Sequence, residues 1–232
     1  MTADDLPKAF ADVPLAWASV LPGWTPALCE AVAQRVKAVS GDSAIGPPDP
    51  FRALRLVAPE AVKVVVFGQD PYPTAGHADG IAFSAGRGKP RSLARIFEVL
   101  AQDQPGFRPP DVWKLDDWAE RGVLLLNPTL SVEIGAAGSH LKCGWQALTA
   151  QIVACLCQRN PPAEPPVFLL WGGQATDLFA RAKPPGAAPR VLVTRHPSYD
   201  VKRQFMAEGS HFVATRGLVD WWAVGRRKPN VA

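Results

Sequence analysis

Four short apolar runs limit what this chain can fold into: residues 62–67 (Val-Lys-Val-Val-Val-Phe), 123–126, 167–171 and 190–194. Val, Leu and Phe dominate each run. None shows the apolar–polar alternation of a half-exposed strand, so each reads as a strand buried on both faces. Helical patterns separate the runs at 92–100, 145–157 and 175–182. Strand and helix in alternation build right-handed βαβ units. The expected fold is therefore α/β, with a parallel sheet covered by helices on both faces. At 232 residues and 47% hydrophobic content, one large core is favoured over two small ones.

Upstream, Thr25-Pro26 pairs an N-cap residue with a proline at the first helical position. Leu28, Val32, Val36 and Val39 then recur at helical spacing until Gly41, which predicts a helix as far as Val39. Residues 1–24 read as an N-terminal arm or leading helix, and 25–225 as a single domain. The basic tail 226–232 is expected to fray. Residues 45–51 read as extended and lead into a short helix at 51–56. Pro-rich loops fall at 159–166 and 184–189.

The residues directly after each run carry the chemistry. The first run ends at Gly68 and is followed by Gln69, Asp70, Pro71, Tyr72 and Pro73. The second ends in Leu-Leu-Leu-Asn127-Pro, the third in Gly172 and Gly173, and the fourth in His196, Pro197 and Ser198. Parallel strands place all of these along one edge of one sheet, where open α/β folds bind their ligands. Each group also has a plain structural use: Asp70 as a cap, Asn127 closing a turn, His196 as a core histidine, the glycines as turns. Four strand ends furnished in this way favour a catalytic cleft.

The 25 basic and 21 acidic residues leave a net charge of +4, a mild lean towards a polyanionic partner. The loop Gly86-Arg-Gly-Lys-Pro-Arg-Ser92 carries Arg87, Lys89 and Arg91 ahead of a helix start, and Arg195, Lys202 and Arg203 surround His196. Such loops suit phosphate, or form a solvated basic face. Cys29, Cys143, Cys155 and Cys157 match no zinc or redox spacing and read as reduced, mostly buried thiols. No basic-then-apolar leader opens the chain, and no apolar run approaches the ~18 residues that span a bilayer. A soluble cytoplasmic protein without membrane contact is expected.

Taken together, these motifs resemble those of the family 1 uracil-DNA glycosylases. The likeness rests on Gly68-Gln-Asp-Pro-Tyr72, Gly80-Ile-Ala-Phe-Ser84, Leu124-Leu-Leu-Asn127, Ser139-His140, Gly144-Trp145, Leu169-Leu-Trp-Gly172 and His196-Pro-Ser198. Ile45-Gly-Pro-Pro48 stands ahead of Phe51 as well. The similarity runs from about residue 24 to 222. It implies a three-layer sandwich with a central four-stranded parallel sheet flanked by helices. It also implies hydrolysis of the N-glycosidic bond of deoxyuridine flipped out of DNA, in base excision repair, by a monomer needing no metal or cofactor.

By this resemblance Asp70 would stabilise the sugar cation and position water, and a neutral His196 would donate a hydrogen bond to uracil O2. Asn127 would read the Watson–Crick edge, Phe83 stack on the ring, Tyr72 exclude a thymine methyl and Gln69 touch the base through its backbone. Ser92, Gly172, Gly173 and Ser198 would grip phosphates. Uracil-containing DNA, single- or double-stranded, would be the partner.

Two departures stand out. Pro73 occupies the place of the family's histidine. Asp200 occupies the place of a leucine that wedges into the gap left by the flipped base, and is expected there to repel phosphates. Tyr199 or Val201 would then serve as wedge. Weak binding of the phage uracil-glycosylase inhibitor protein, which grips that leucine, is expected. A glycosylase with another lesion preference and a non-catalytic damaged-DNA-binding module are the alternatives.

Overall fold

The structure, a computed structural model, describes residues 1–159 and 164–225, without the side chains of Tyr199 and Val201. The basic tail and part of the 159–166 loop lie outside the described residues. The first 24 residues fold into two short helices, α1 (Leu6–Ala11) and α2 (Leu15–Ala18), that pack into the core. Leu6 and Trp17 are fully buried, and Trp17 Nε1 donates to Val57 O at 2.9 Å. Thr25 caps α3 (Pro26–Ser40) by accepting from Leu28 N at 3.3 Å, as the Thr-Pro pair predicts.

A two-residue strand, β1 (Ile45–Gly46), and α4 (Arg52–Leu56) lead into β2 (Val64–Phe67), whose four residues are all fully buried. Then come α5 (Arg91–Asp103), α6 (Asp116–Glu120), β3 (Val123–Leu126) and the short β4 (Val132–Glu133). The chain continues through α7 (Trp145–Cys157), β5 (Val167–Trp171), α8 (Gly173–Ala182), β6 (Val191–Thr194) and α9 (His211–Thr215). The main sheet runs β3-β2-β5-β6, all parallel, with Val64 opposite both Val123 and Val167. β1 and β4 form a separate antiparallel pair, Ile45 against Glu133.

Successive residues of a strand point to opposite faces, and the core divides accordingly. Val65, Phe67, Leu124, Leu126, Phe168 and Leu170 face the layer built by the N-terminal helices, α3, α7 and α8. Val64, Val66, Val123, Leu125, Leu169 and Trp171 face α5, α6 and α9. The expected three-layer sandwich is what forms, and burial of each such side chain contributes about 1.5–3 kcal/mol. β6 is one of the two edge strands and, with Val193 55% exposed, the least buried of the four. Among the described residues no helix is long and apolar enough to cross a membrane.

Candidate active site

All four parallel strands deliver their C-terminal residues to one edge of the sheet. A cavity of about 400 Å³ opens there, lined by Gln69, Asp70, Tyr72, Phe83, Asn127 and His196, with Ser92 and Ser198 at its walls. Gly172 and Gly173 line an adjoining groove, and Gln69 and His196 belong to both. Asp70 and His196, carried on strands not adjacent in the sheet, therefore face one space.

Asp70 Oδ2 accepts a hydrogen bond from Gly138 N at 3.0 Å. Burial pushes its carboxyl above the ordinary carboxylate range, and the Gly138 N–H opposes the rise. Asn127 lies over Gly68, where a Cβ would stand 2.2 Å from Asn127 Oδ1. The glycine that ends β2 is what lets the amide come so close.

Phe83 sits at φ 65, a left-handed conformation that a bulky side chain rarely adopts. The surrounding loop enforces it. Asp79 accepts from Ile81 N at 3.2 Å and from Ser84 Oγ at 2.7 Å, and Ser84 Oγ accepts from Leu115 N at 3.1 Å. Ala82 N donates to Leu125 O at 3.1 Å. Phe83 is thereby fixed with its ring 5.1 Å from Trp171 and 5.6 Å from His196.

Tyr72 is held just as firmly. Its hydroxyl donates to Phe83 O at 3.0 Å and shares a 2.7 Å hydrogen bond with Ser92 Oγ. Burial pushes the phenol well above its ordinary range. Ser92 is 1% exposed and lines the cavity, where its hydroxyl braces Tyr72. Ser198 and Gly173 are exposed.

His196 Nδ1 accepts from Ser198 N at 3.2 Å, which in a neutral ring places the hydrogen on Nε2. Burial pushes the imidazole down to about 4, so the ring is neutral at neutral pH. A carboxylate, a carboxamide, a neutral imidazole donor and an aromatic face thus surround a space fit for one flat polar ring. Among the described residues no group of three His, Cys, Asp or Glu side chains is placed to hold a metal ion.

The family model described as the uracil DNA glycosylase superfamily matches residues 55–216, the stretch that bears every one of these groups. The chain belongs to the uracil-DNA glycosylase superfamily. It is 42% identical over 186 residues to the uracil-DNA glycosylase of bovine herpesvirus 1.1, covering 75% of this chain and 88% of that protein. It is 43% identical over 152 residues to the enzyme of varicella-zoster virus, covering 65% of this chain. Only 48% of the varicella-zoster protein's own length is spanned. The crystal structure of mimivirus uracil-DNA glycosylase superposes with a TM-score of 0.67 at 24% identity, over 79% of this chain and 68% of that one. A mimivirus UNG variant in complex with UGI gives a TM-score of 0.69, over 80% and 70%. At that identity the two structures speak for the fold alone.

One expectation drawn from the glycosylase pattern fails. Asp200 does not face outward to repel phosphates. Its side chain is 7% exposed and turned against α5, hydrogen-bonded to Arg95 Nε, and Oδ1 accepts from Phe205 N at 2.6 Å. Burial alone would raise its carboxyl; the Phe205 N–H and Arg95 outweigh that and hold it below the ordinary range. The side chains of Tyr199 and Val201, the expected wedges, lie outside the described residues.

Three groups around this glycosylase site escaped the motif reading. Gly138 acts through a backbone N–H, which leaves no mark in the sequence. Asp79 precedes Gly80 in a pairing typical of turns and had a signal to offer. Arg95, one helical turn after Ser92, has its partner 105 residues away.

Proposed function

We propose that this chain removes uracil from DNA by hydrolysing the N-glycosidic bond of deoxyuridine, leaving an abasic site. The observation that carries this reading is the single cavity lined by Asp70, Asn127, Phe83 and His196. The superfamily membership supports it. A base within a duplex has to leave the stack, at a cost of a few kcal/mol that a fitted pocket recovers. Phe83 offers the stacking face. Asn127 offers a donor and an acceptor, which match uracil's edge and mismatch cytosine's. Tyr72, with its hydroxyl tied at two points, is a wall that cannot swing aside for a thymine methyl. Gln69 contributes backbone contacts to the base.

As the glycosidic bond breaks, the sugar becomes oxocarbenium-like and uracil departs as an anion. The Asp70 carboxylate stabilises the cation and orients the attacking water. His196 donates Nε2–H to uracil O2, a contact of a type worth about 10²–10³ in rate. A neutral donor suits this role because it needs no counter-charge in the cavity. Ser198, Gly172 and Gly173 take the flanking phosphates, Gly173 from the N-terminus of α8. Residues 25–225 act as one catalytic unit, a cytoplasmic monomer, and residues 1–24 lend it core side chains.

The inhibitor protein that grips the family's leucine is proposed to bind this chain poorly, since Asp200 offers no apolar side chain outward. Stoichiometric inhibition by that protein would refute this part alone.

Release of free uracil from single- and double-stranded oligonucleotides tests the activity. Uracil is the expected product, with hypoxanthine and mismatched thymine left in place. No uracil release by the intact chain would overturn the reading. Release that persists undiminished in Asp70→Asn would overturn the assignment of Asp70.

A further inference from the structure

The loop that follows His196 is closed by contacts the mechanism does not use. It leaves β6 at Thr194 and returns to it, with Met206 N donating to Thr194 Oγ1 at 2.8 Å. Inside that closure Asp200 joins the loop's two limbs through Phe205 N and joins the whole loop to α5 through Arg95. Arg95 is itself only 12% exposed, and its Nη1 lies 3.1 Å from Glu98. Phe205, fully buried, sets its ring against Trp171 at 5.3 Å, and Trp171 supports Phe83.

α5 also carries Ser92, which holds Tyr72. Ser92 and Arg95 stand three residues apart, on one face of the helix. The first turns of α5 therefore brace the cavity from two sides, Tyr72 through a hydroxyl and the His196 loop through a guanidinium.

We propose that Arg95 is a positioning residue for the glycosylase reaction, acting through Asp200 to hold the loop of His196 and Ser198 against the bound nucleotide. This rests on the activity proposed above. Arg95 and Asp200 touch no substrate. Their pair sets where the His196 imidazole and the Ser198 amide stand, and a displacement of about 1 Å in such groups costs up to 10²-fold in rate.

The test is a kinetic comparison on a uracil-containing single-stranded oligonucleotide of the wild type, Arg95→Ala, Asp200→Ala and the double variant. Arg95→Ala is expected to lower kcat about 10–100-fold while KM moves less than about threefold. The double variant is expected to be no slower than the slower single variant, as for two residues acting as one unit. Added guanidinium ion is expected to restore rate to Arg95→Ala and none to the double variant, a response that general loss of packing does not give. Should Arg95→Ala fail to fold, Arg95→Lys serves instead, with an intermediate kcat expected.

A wild-type kcat in the Arg95 variants, or losses that multiply in the double variant, would overturn the proposal while leaving the activity intact. A wild type that releases no uracil would instead remove the activity on which the proposal stands.

Discussion

Gly172 is packed so tightly against His196 that a Cβ added to it would stand 2.9 Å from His196 Cβ. Its φ of 101 lies where side chains are strained as well. The glycine that ends β5 therefore fixes the approach of the imidazole borne on β6. Gly172→Ala is expected to displace His196 and lower kcat about 10–100-fold, with the circular dichroism spectrum unchanged. Full activity in that variant would separate His196 from the reaction.

Asp70→Asn keeps a side-chain oxygen for the Gly138 N–H and removes only the charge. Uracil-DNA binding is expected to persist, measured with the inactive variant by fluorescence anisotropy. The single-turnover rate is expected to fall about 10²–10⁴-fold, the range assigned to positioned acid–base groups. Equal loss of binding and rate would point to a structural role for the carboxylate.

The pH dependence follows from burial. His196 and His211 are both pushed down to about 4, and His140 is lowered by the same cause. In the unfolded chain these rings take up protons near 6.5, while in the fold they stay neutral. As pH falls from about 6.5 towards 4 the unfolded state gains protons and the folded state does not, so stability is lost. Asp70 and Asp79, both raised by burial, work in the opposite sense: they favour the fold in acid, and that contribution fades as pH rises through their folded values. The histidines are expected to set the trend between pH 6.5 and 5, with Tm falling. In an NMR titration the His196 ring is expected to stay neutral well below pH 6.5, and a midpoint at 6.5 would mean that it titrates as an exposed ring.

Asp200→Leu would place at this position the residue type the family pattern carries. It would also leave Arg95 nearly buried without its main carboxylate and the Phe205 N–H without an acceptor. A loss of about 3 kcal/mol is expected, the lower end for breaking a buried pair because Glu98 still faces Arg95. Urea unfolding measures it. A leucine variant as stable as the parent would show that the pair contributes little to the fold.

The main strands were legible because runs such as 123–126 and 167–171 are apolar on both faces, and the structure keeps those bounds. The Thr25 cap was legible because its chemistry is local. The β1–β4 pair is two residues long, and α6 and α9 are five each, too short for any periodicity to emerge. The position of Asp200 could be matched to a family pattern, but its orientation could not. Which way a short charged side chain turns depends on a partner brought near by folding, here on another helix. The same limit concealed Gly138 beside Asp70, whereas Asp70, Asn127 and His196 were found because strand ends advertise them.

Met1 O accepts from Ile45 N at 2.9 Å, and Leu6 and Trp17 fill space beside α3 and α7. The leading two dozen residues are accordingly a plug. Trimming the protein back to Thr25 would leave an oily trench open to water along one flank of the sandwich, and a bulky affinity tag joined at the first residue would press on that plug.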